Sequence, residues 1–81
     1  MFFNNKAMEN HPKTIKKILV LNVKKYRAKL GLTQEQAAEK ADLNLKYWQR
    51  LEMVSQIDLP SLPALGKMAK ALNCKISVLL I

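Results

Sequence analysis

The segment 31–52, GLTQEQAAEKADLNLKYWQRLE, restricts the possible folds of this chain more than any other part of the sequence. Its glycine suits the left-handed position that ends a helix, and Thr33 with Gln36 three residues later predicts a capping box. Asp42 fits a turn because aspartate tolerates left-handed backbone, and Asn44 is placed to cap another helix. The segment therefore predicts a short helix, a tight turn and a second helix.

The layout of this segment also indicates a function. A scaffold helix, a tight turn and a helix with polar and basic residues near its start form the arrangement that lays one helix in the major groove of DNA. The helix after the turn carries such side chains in LKYWQR, while Trp48 and Leu51 fall on its inner face. This pattern predicts DNA binding without catalysis.

Hydrophobic spacing predicts a helix before this segment and another after it. The first stripe lies in segment 13–30 and has steps of three and four residues: Ile15, Leu19, Val23, Tyr26 and Leu30. The second stripe follows the cap Ser61 in segment 61–72: Leu62, Leu65, Met68, Ala69 and Leu72. Residues 53–60 are expected to form the connecting loop.

Two segments fit more than one type of element. TIKKILVL, residues 14–21, also fits a strand followed by a helix capped by Asn22, because β-branched and aliphatic residues favour strands. CKISVLLI, residues 74–81, fits either a strand or a short helix that begins at Ser77. Both alternatives stay open at this point.

The few turn-forming residues favour helices over hairpins, since the chain has only two Gly and three Pro. We therefore predict an all-α fold, a compact bundle of four or five helices in residues 13–81. Residues 1–12 show no clean period and are expected to form a flexible arm.

Charge points to an anionic partner. The 81 residues carry a net charge of +8, and most of the basic side chains lie in residues 1–30. A balance of this kind favours nucleic acid over an acidic protein or an anionic membrane face. No apolar run approaches the ~20 residues of a membrane span, and a single cysteine forms no internal disulfide. A cytoplasmic protein is the expectation.

The sequence offers no set of residues for catalysis. His11 is the only histidine and Cys74 the only cysteine, so a His-based triad and a zinc cluster both lack their ligands. No Gly-rich phosphate loop is present either. We expect no enzyme activity, no metal and no cofactor.

Three matched stretches resemble the Cro and phage-repressor helix-turn-helix family, also known as the XRE family. They are V-K-K-Y-R-x-x-x-G-L-T-Q-E-Q-A-A-E-K-A-x-L at 23–43, the glutamate Glu52, and P-S-L-P-A-L-G-K-M-A-K-A-L at 60–72. The resemblance covers roughly residues 19–80. It implies a lambda-repressor-like domain that binds double-stranded DNA.

The resemblance also implies roles for individual residues. Arg27 and Glu52 match a structural ion pair between two helices. Three residues are phosphate-binding candidates: Thr33, Gln34 and Tyr47. Five residues match base-reading positions: Asn44, Leu45, Lys46, Gln49 and Arg50. Arginine and lysine suit guanine, the amides suit adenine, and leucine suits a thymine methyl group, although the alternative for these positions is a solvated helix face.

Some positions depart from the family pattern. The loop at 53–60 is longer than usual and lacks the basic side chains of the phosphate clamp that the family usually places there. Position 37 is Ala where the family prefers Leu, and Trp48 replaces an aliphatic residue. We expect the tryptophan to pack in the core and to fill the space that Ala37 leaves.

The most specific hypothesis is a transcriptional repressor that reads a pseudo-palindromic operator as a homodimer. Its dimer surface would come from residues 78–81 and the loop at 53–60. One alternative is an antitoxin or other protein-interaction module, with Ile18, Leu21 and the C-terminal run as its contact surface. Another alternative is a structural helix bundle that has lost DNA binding.

Overall fold

A computed structural model describes residues 11–81, and every regular element in this part of the chain is a helix. The helices are α1 (Pro12–Lys29), α2 (Gln34–Lys40), α3 (Leu45–Leu51), α4 (Leu62–Ala71) and α5 (Ile76–Leu79). The prediction of an all-α fold is confirmed. Residues 14–21 lie within α1, and residues 74–81 contain the short helix α5, which begins at Ile76 rather than at Ser77. The arm expected at 1–12 lies almost wholly outside the described residues.

Side-chain caps explain where α2, α3 and α4 begin. The capping box of α2 is present, because Thr33 Oγ1 accepts from the Gln36 amide at 3.0 Å and Gln36 Oε1 accepts from the Thr33 amide at 2.9 Å. Asn44 Oδ1 accepts from the Lys46 amide at 2.8 Å at the start of α3. Ser61 caps α4 in the same way, so all three caps predicted from the sequence are confirmed.

Three helices end in the same left-handed turn. Gly31, Asp42 and Asn73 have φ values of 67°, 55° and 57°, and each follows the C-cap residue of its helix. After each of them an amide donates back to the carbonyl five residues earlier, at 3.1, 2.9 and 3.0 Å. This is the Schellman geometry, which tolerates Gly, Asn and Asp best. The turn expected at Asp42 is therefore confirmed.

The hydrophobic core surrounds Trp48, which is wholly buried on the inner face of α3. Small side chains on α2 let α3 approach closely, and α1, α4 and α5 close the core from the other sides. The buried residues that form this core with Trp48 include Leu19, Val23, Ala37, Ala38, Ala41, Leu51, Leu65, Met68, Leu72 and Leu79. Two expectations for α1 were wrong. Leu30 is 40% exposed because it is the C-cap residue, and Ile18 is half-buried rather than exposed.

Asn22 fixes the C-terminal segment against the middle of α1. Its Nδ2 donates to the carbonyl oxygens of Leu79 at 3.0 Å and Ile81 at 3.3 Å. The strand alternative required Asn22 to cap a helix, and Asn22 does not do so. Leu79 is wholly buried, so of the C-terminal residues expected to form a dimer surface only Leu80 and Ile81 are well exposed.

A buried lysine ties α1 to the loop at 53–60. Lys16 is 1% exposed, and its Nζ donates to the carbonyl oxygens of Asp58 at 2.8 Å and Arg50 at 3.2 Å. Burial lowers the pKa of Lys16, while the nearby Asp58 carboxylate acts in the opposite direction. The carbonyl partners satisfy a cation that is otherwise costly to bury.

The core predicts a specific response to overpacking. We expect Ala37→Leu to lower the free energy of unfolding by about 1–3 kcal/mol, because Ala37 is wholly buried in the same core cluster as Trp48. Trp48→Leu in the same chain should offset part of that loss by making room. Urea unfolding of both single variants and the double variant measures this coupling.

The matched control is Ala28→Leu, which adds the same side chain at an exposed position of α1. It should change the unfolding free energy by less than about 0.5 kcal/mol. Strictly additive losses in the double variant would show that Trp48 does not occupy the space next to Ala37.

Candidate nucleic-acid interface

Glu52 joins three helices at the C-terminal end of α3. Its carboxylate accepts from Arg27 Nε at 2.8 Å, Arg27 Nη2 at 2.9 Å, Gln34 Nε2 at 3.1 Å and Trp48 Nε1 at 2.5 Å. Glu52 is 3% exposed, and the arginine also donates through Nη1 to the carbonyl of Leu32. The ion pair predicted between Arg27 and Glu52 is therefore present, in a bidentate form.

The environment of Glu52 keeps it ionised. Burial on its own raises the pKa of this carboxyl, but hydrogen bonds from Arg27, Trp48 and Gln34, with the charge of Arg27, lower the pKa below its ordinary value. The carboxylate can therefore accept all four bonds at neutral pH. This arrangement sets the position of α3 relative to α1 and α2.

Two of the phosphate candidates lie at the start of α2. Thr33 is exposed, and its hydroxyl accepts the capping bond while its own hydrogen stays free to donate. Gln34 is half-buried and uses one hydrogen of its Nε2 on Glu52, which leaves the second hydrogen for another acceptor. Both side chains therefore retain a donor at this helix end.

Lys46 and Gln49 lie exposed on α3 with no side-chain hydrogen bond within residues 11–81, so both are free to contact a ligand. Leu45 and Tyr47 are half-buried and pack partly against the core. Tyr47, the third phosphate candidate, therefore has a smaller exposed fraction than Lys46.

Asn44 is exposed, but its amide oxygen is already in use. Asn44 Oδ1 accepts from the amides of Lys46 and Tyr47, at 2.8 and 3.4 Å. Bidentate pairing with adenine needs that oxygen as an acceptor for the base amino group. While the cap is intact, Asn44 can offer a base or a phosphate only the donor Nδ2.

Arg50 is held by a carboxylate from the loop at 53–60. Its Nε donates to Asp58 Oδ2 at 2.6 Å, and both side chains are solvent-accessible. Desolvation raises the pKa of Asp58, but hydrogen bonds from its backbone and from Arg50, with the charges of Arg50 and Lys16, lower the pKa below its ordinary value. Asp58 is therefore ionised at neutral pH.

Neither Asp58 nor Lys16 was predicted as part of this site. The sequence does contain a signal for Lys16, because it lies four and seven residues before the buried Val20 and Val23 and so shares their face of α1. Asp58 has no comparable signal. Its pairing depends on the path of an irregular loop, which residue spacing does not determine.

The exposed lysines of α1 add positive charge around the bundle. They are Lys13, Lys17, Lys24, Lys25 and Lys29. Two of them place their ammonium groups 5.7 and 5.3 Å from the ring centre of Tyr26. This agrees with the uneven charge of the sequence and provides a long-range attraction for a polyanion.

A metal-binding cluster and a membrane-spanning helix are both absent from the described residues. Within residues 11–81, no group of three or more His, Cys, Asp or Glu side chains is placed to hold a metal ion. No helix in that same range is both long and apolar enough to cross a membrane.

The geometry of α2, the turn at Asp42 and α3, with α1 and α4 packed around them, defines a helix-turn-helix protein. A family model described as helix-turn-helix matches residues 23–79, more than half of the chain. The chain therefore belongs to this family of Cro-like and repressor-like DNA-binding regulators, as the sequence resemblance implied. The family is generally non-enzymatic. No curated protein and no solved structure matches the chain.

The Glu52 arrangement predicts a large stability effect. We expect Glu52→Gln to lower the free energy of unfolding by about 3–5 kcal/mol, because it leaves Arg27 without its buried counter-ion and turns an amide group toward hydrogen-bond donors. Urea unfolding followed by Trp48 fluorescence measures the loss. The control Glu39→Gln removes an exposed carboxylate of α2 and should stay within about 0.5 kcal/mol. Equal losses in the two variants would contradict the structural role of Glu52.

The lowered pKa of Glu52 also predicts a pH dependence. Its contribution to stability is complete above the ordinary pKa of 4.5 and is lost as the pH falls through the lower pKa of the folded state. We therefore expect the unfolding free energy to fall below about pH 4.5 in the natural chain, and less steeply in Glu52→Gln. Identical slopes in the two proteins would show that Glu52 does not carry this dependence.

Proposed function

We propose that this protein is a transcriptional repressor that binds a pseudo-palindromic DNA operator as a homodimer. The observation that carries the proposal is the fixed position of α3. Its inner face and C-terminal end are held by Trp48 and Glu52, while Lys46, Gln49 and Arg50 lie exposed. A rigid helix that presents polar and basic side chains suits insertion into the major groove. Because its target is DNA, we expect it to act in the cytoplasm.

The exposed side chains supply different kinds of contact. The terminal nitrogens of Arg50 suit guanine O6 and N7, Gln49 suits adenine, and Lys46 suits a guanine or a phosphate. Leu45 has some exposed surface for a thymine methyl group. Thr33 and Gln34 retain donors at the start of α2, where the helix end favours a phosphate.

The proposed dimer follows from the limited reach of one helix. A single α3 contacts too few base pairs for useful specificity, whereas two-fold symmetry places a second α3 one DNA turn, ~34 Å, away. Apolar side chains available for an interface are exposed around Asn22, where α1 meets the C-terminus: Leu21, Leu80 and Ile81. The loop at 53–60 adds Val54 and Ile57, each 51% exposed.

A protein-interaction module, such as an antitoxin that binds an acidic partner, is the second candidate. The observation that favours it is the same exposed apolar group of Leu21, Leu80 and Ile81, which suits a partner protein as well as a second copy. The loop at 53–60 lacks the basic residues that would strengthen DNA binding. In that case DNA binding is secondary.

Selection from random duplex DNA tests the proposal. We expect the protein to enrich a pseudo-palindrome, with two chains per duplex by sedimentation and an affinity that falls steeply with salt. Lys46→Ala and Arg50→Ala should each weaken binding to the selected site by about 5- to 150-fold, since one good base contact discriminates by ~1–3 kcal/mol.

Lys70→Ala is the matched control, because it removes an exposed lysine from α4, outside the helix-turn-helix. It should reduce affinity only slightly and equally for all sequences. Failure to enrich any sequence would favour the interaction module. One chain per duplex would contradict the symmetric dimer, and unchanged binding by Arg50→Ala and Lys46→Ala would contradict the role of α3.

A further inference from the structure

We infer that Asp58 is a specificity-determining residue that acts through Arg50, by holding the guanidinium in the orientation that reads a guanine. This inference deepens the proposed function and rests on it. It starts from the contact between Arg50 Nε and Asp58 Oδ2, at 2.6 Å. A carboxylate in the loop that follows α3 thus grips the side chain of α3 best suited to base recognition.

The atom that Asp58 contacts decides what remains available. A guanidinium has five donors, one on Nε and four on the two terminal nitrogens. Asp58 uses Nε, and within residues 11–81 neither terminal nitrogen of Arg50 has a hydrogen-bond partner. The terminal edge is the fork that can donate to guanine O6 and N7 together. The Asp58 contact is therefore compatible with base reading and sets the direction of the fork.

An exposed ion pair alone would hold Arg50 weakly, because ordering two long side chains offsets most of the attraction. Here only one partner has to be ordered. Lys16 Nζ donates to the Asp58 carbonyl at 2.8 Å and to the Arg50 carbonyl at 3.2 Å, from a position that is 1% exposed. The buried lysine thus fixes the backbone on both sides of the pair. The carboxylate is short and its main chain is anchored, so Arg50 meets a prepared acceptor.

The negative charge of Asp58 makes its contact with Arg50 favour specificity rather than overall affinity. An aspartate beside the DNA-reading helix repels phosphates, so it weakens binding to every sequence alike. A fixed arginine fork strengthens binding only to the sequence that carries the guanine. The reason is that the Arg50 side chain is already ordered before the guanine is bound. Asp58 is therefore expected to lower non-specific affinity and to raise discrimination. The unusual acidic loop is then part of the reading surface.

The experiment compares the dissociation constants for the selected duplex and for a duplex with the guanine opposite Arg50 replaced. We expect Asp58→Asn to lower the ratio of the dissociation constant for the replaced duplex to that for the selected duplex by about two- to tenfold, the size expected when one side chain must be ordered on binding. The affinity of Asp58→Asn for the duplex without this guanine should stay equal or rise. In an Arg50→Ala background, Asp58→Asn should leave the ratio unchanged, since no fork remains to be oriented.

Glu39→Gln is the matched control, because it removes an exposed carboxylate from α2 and should leave the ratio unchanged. A higher ratio for Asp58→Asn would overturn the inference, since it would mean that Asp58 masks Arg50. An unchanged ratio would overturn it as well, while leaving the proposed function intact. If the natural chain selects no sequence at all, the proposed function fails and this inference fails with it.

Discussion

The Glu52 carboxylate accepts hydrogen bonds from side chains on three helices, and the position of α3 depends on it. Arg27 comes from α1, Gln34 from α2 and Trp48 from α3 itself. Such a buried charge contributes little net stability compared with an apolar group, but it accepts only one arrangement of its donors. The hydrogen bonds of Glu52 thus fix the angle of α3 relative to α1 and α2.

A second anchor acts on the same end of α3. Lys16 reaches from α1 to the carbonyl of Arg50 and continues to the loop, where it holds Asp58. Glu52 and Lys16 are the two charged groups buried within residues 11–81, and both fix the C-terminal end of α3. The opposite end is fixed by the Asn44 cap and by the partial packing of Leu45 and Tyr47 against the core. The contacts that fix α3 thus lie on its inner face and at its ends, and its outer face stays free for a ligand.

Sequence reasoning succeeded where one local rule determined the outcome. The capping box at Thr33, the left-handed turn at Asp42 and the buried face of Trp48 each follow from a residue type at a fixed spacing. The pairing of Arg27 with Glu52 came instead from the resemblance to a family. Local residue preferences did not distinguish a strand from a helix in residues 14–21, because β-branched residues also fit a helix that packs against a core.

What the sequence did not predict depends on long-range packing. The burial of Lys16 was not predicted, although its spacing to Val20 and Val23 matches the buried face of α1. Leu30 was assigned to the apolar stripe, although the turn at Gly31 directs it to solvent. The partner of Arg50 lies in an irregular loop, so no periodic pattern could reveal it. The base-reading and phosphate-binding roles of the individual residues stay predictions.

The central claim is that the exposed face of α3 contacts DNA while the Glu52 arrangement stays intact. The most direct measurement is a titration of isotope-labelled protein with the selected duplex, followed by amide chemical shifts. We predict the largest changes in residues 44–50 and at the start of α2, with the Trp48 Nε1–H signal nearly unmoved. Changes concentrated in α4 and α5, with residues 44–50 unaffected, would contradict this account.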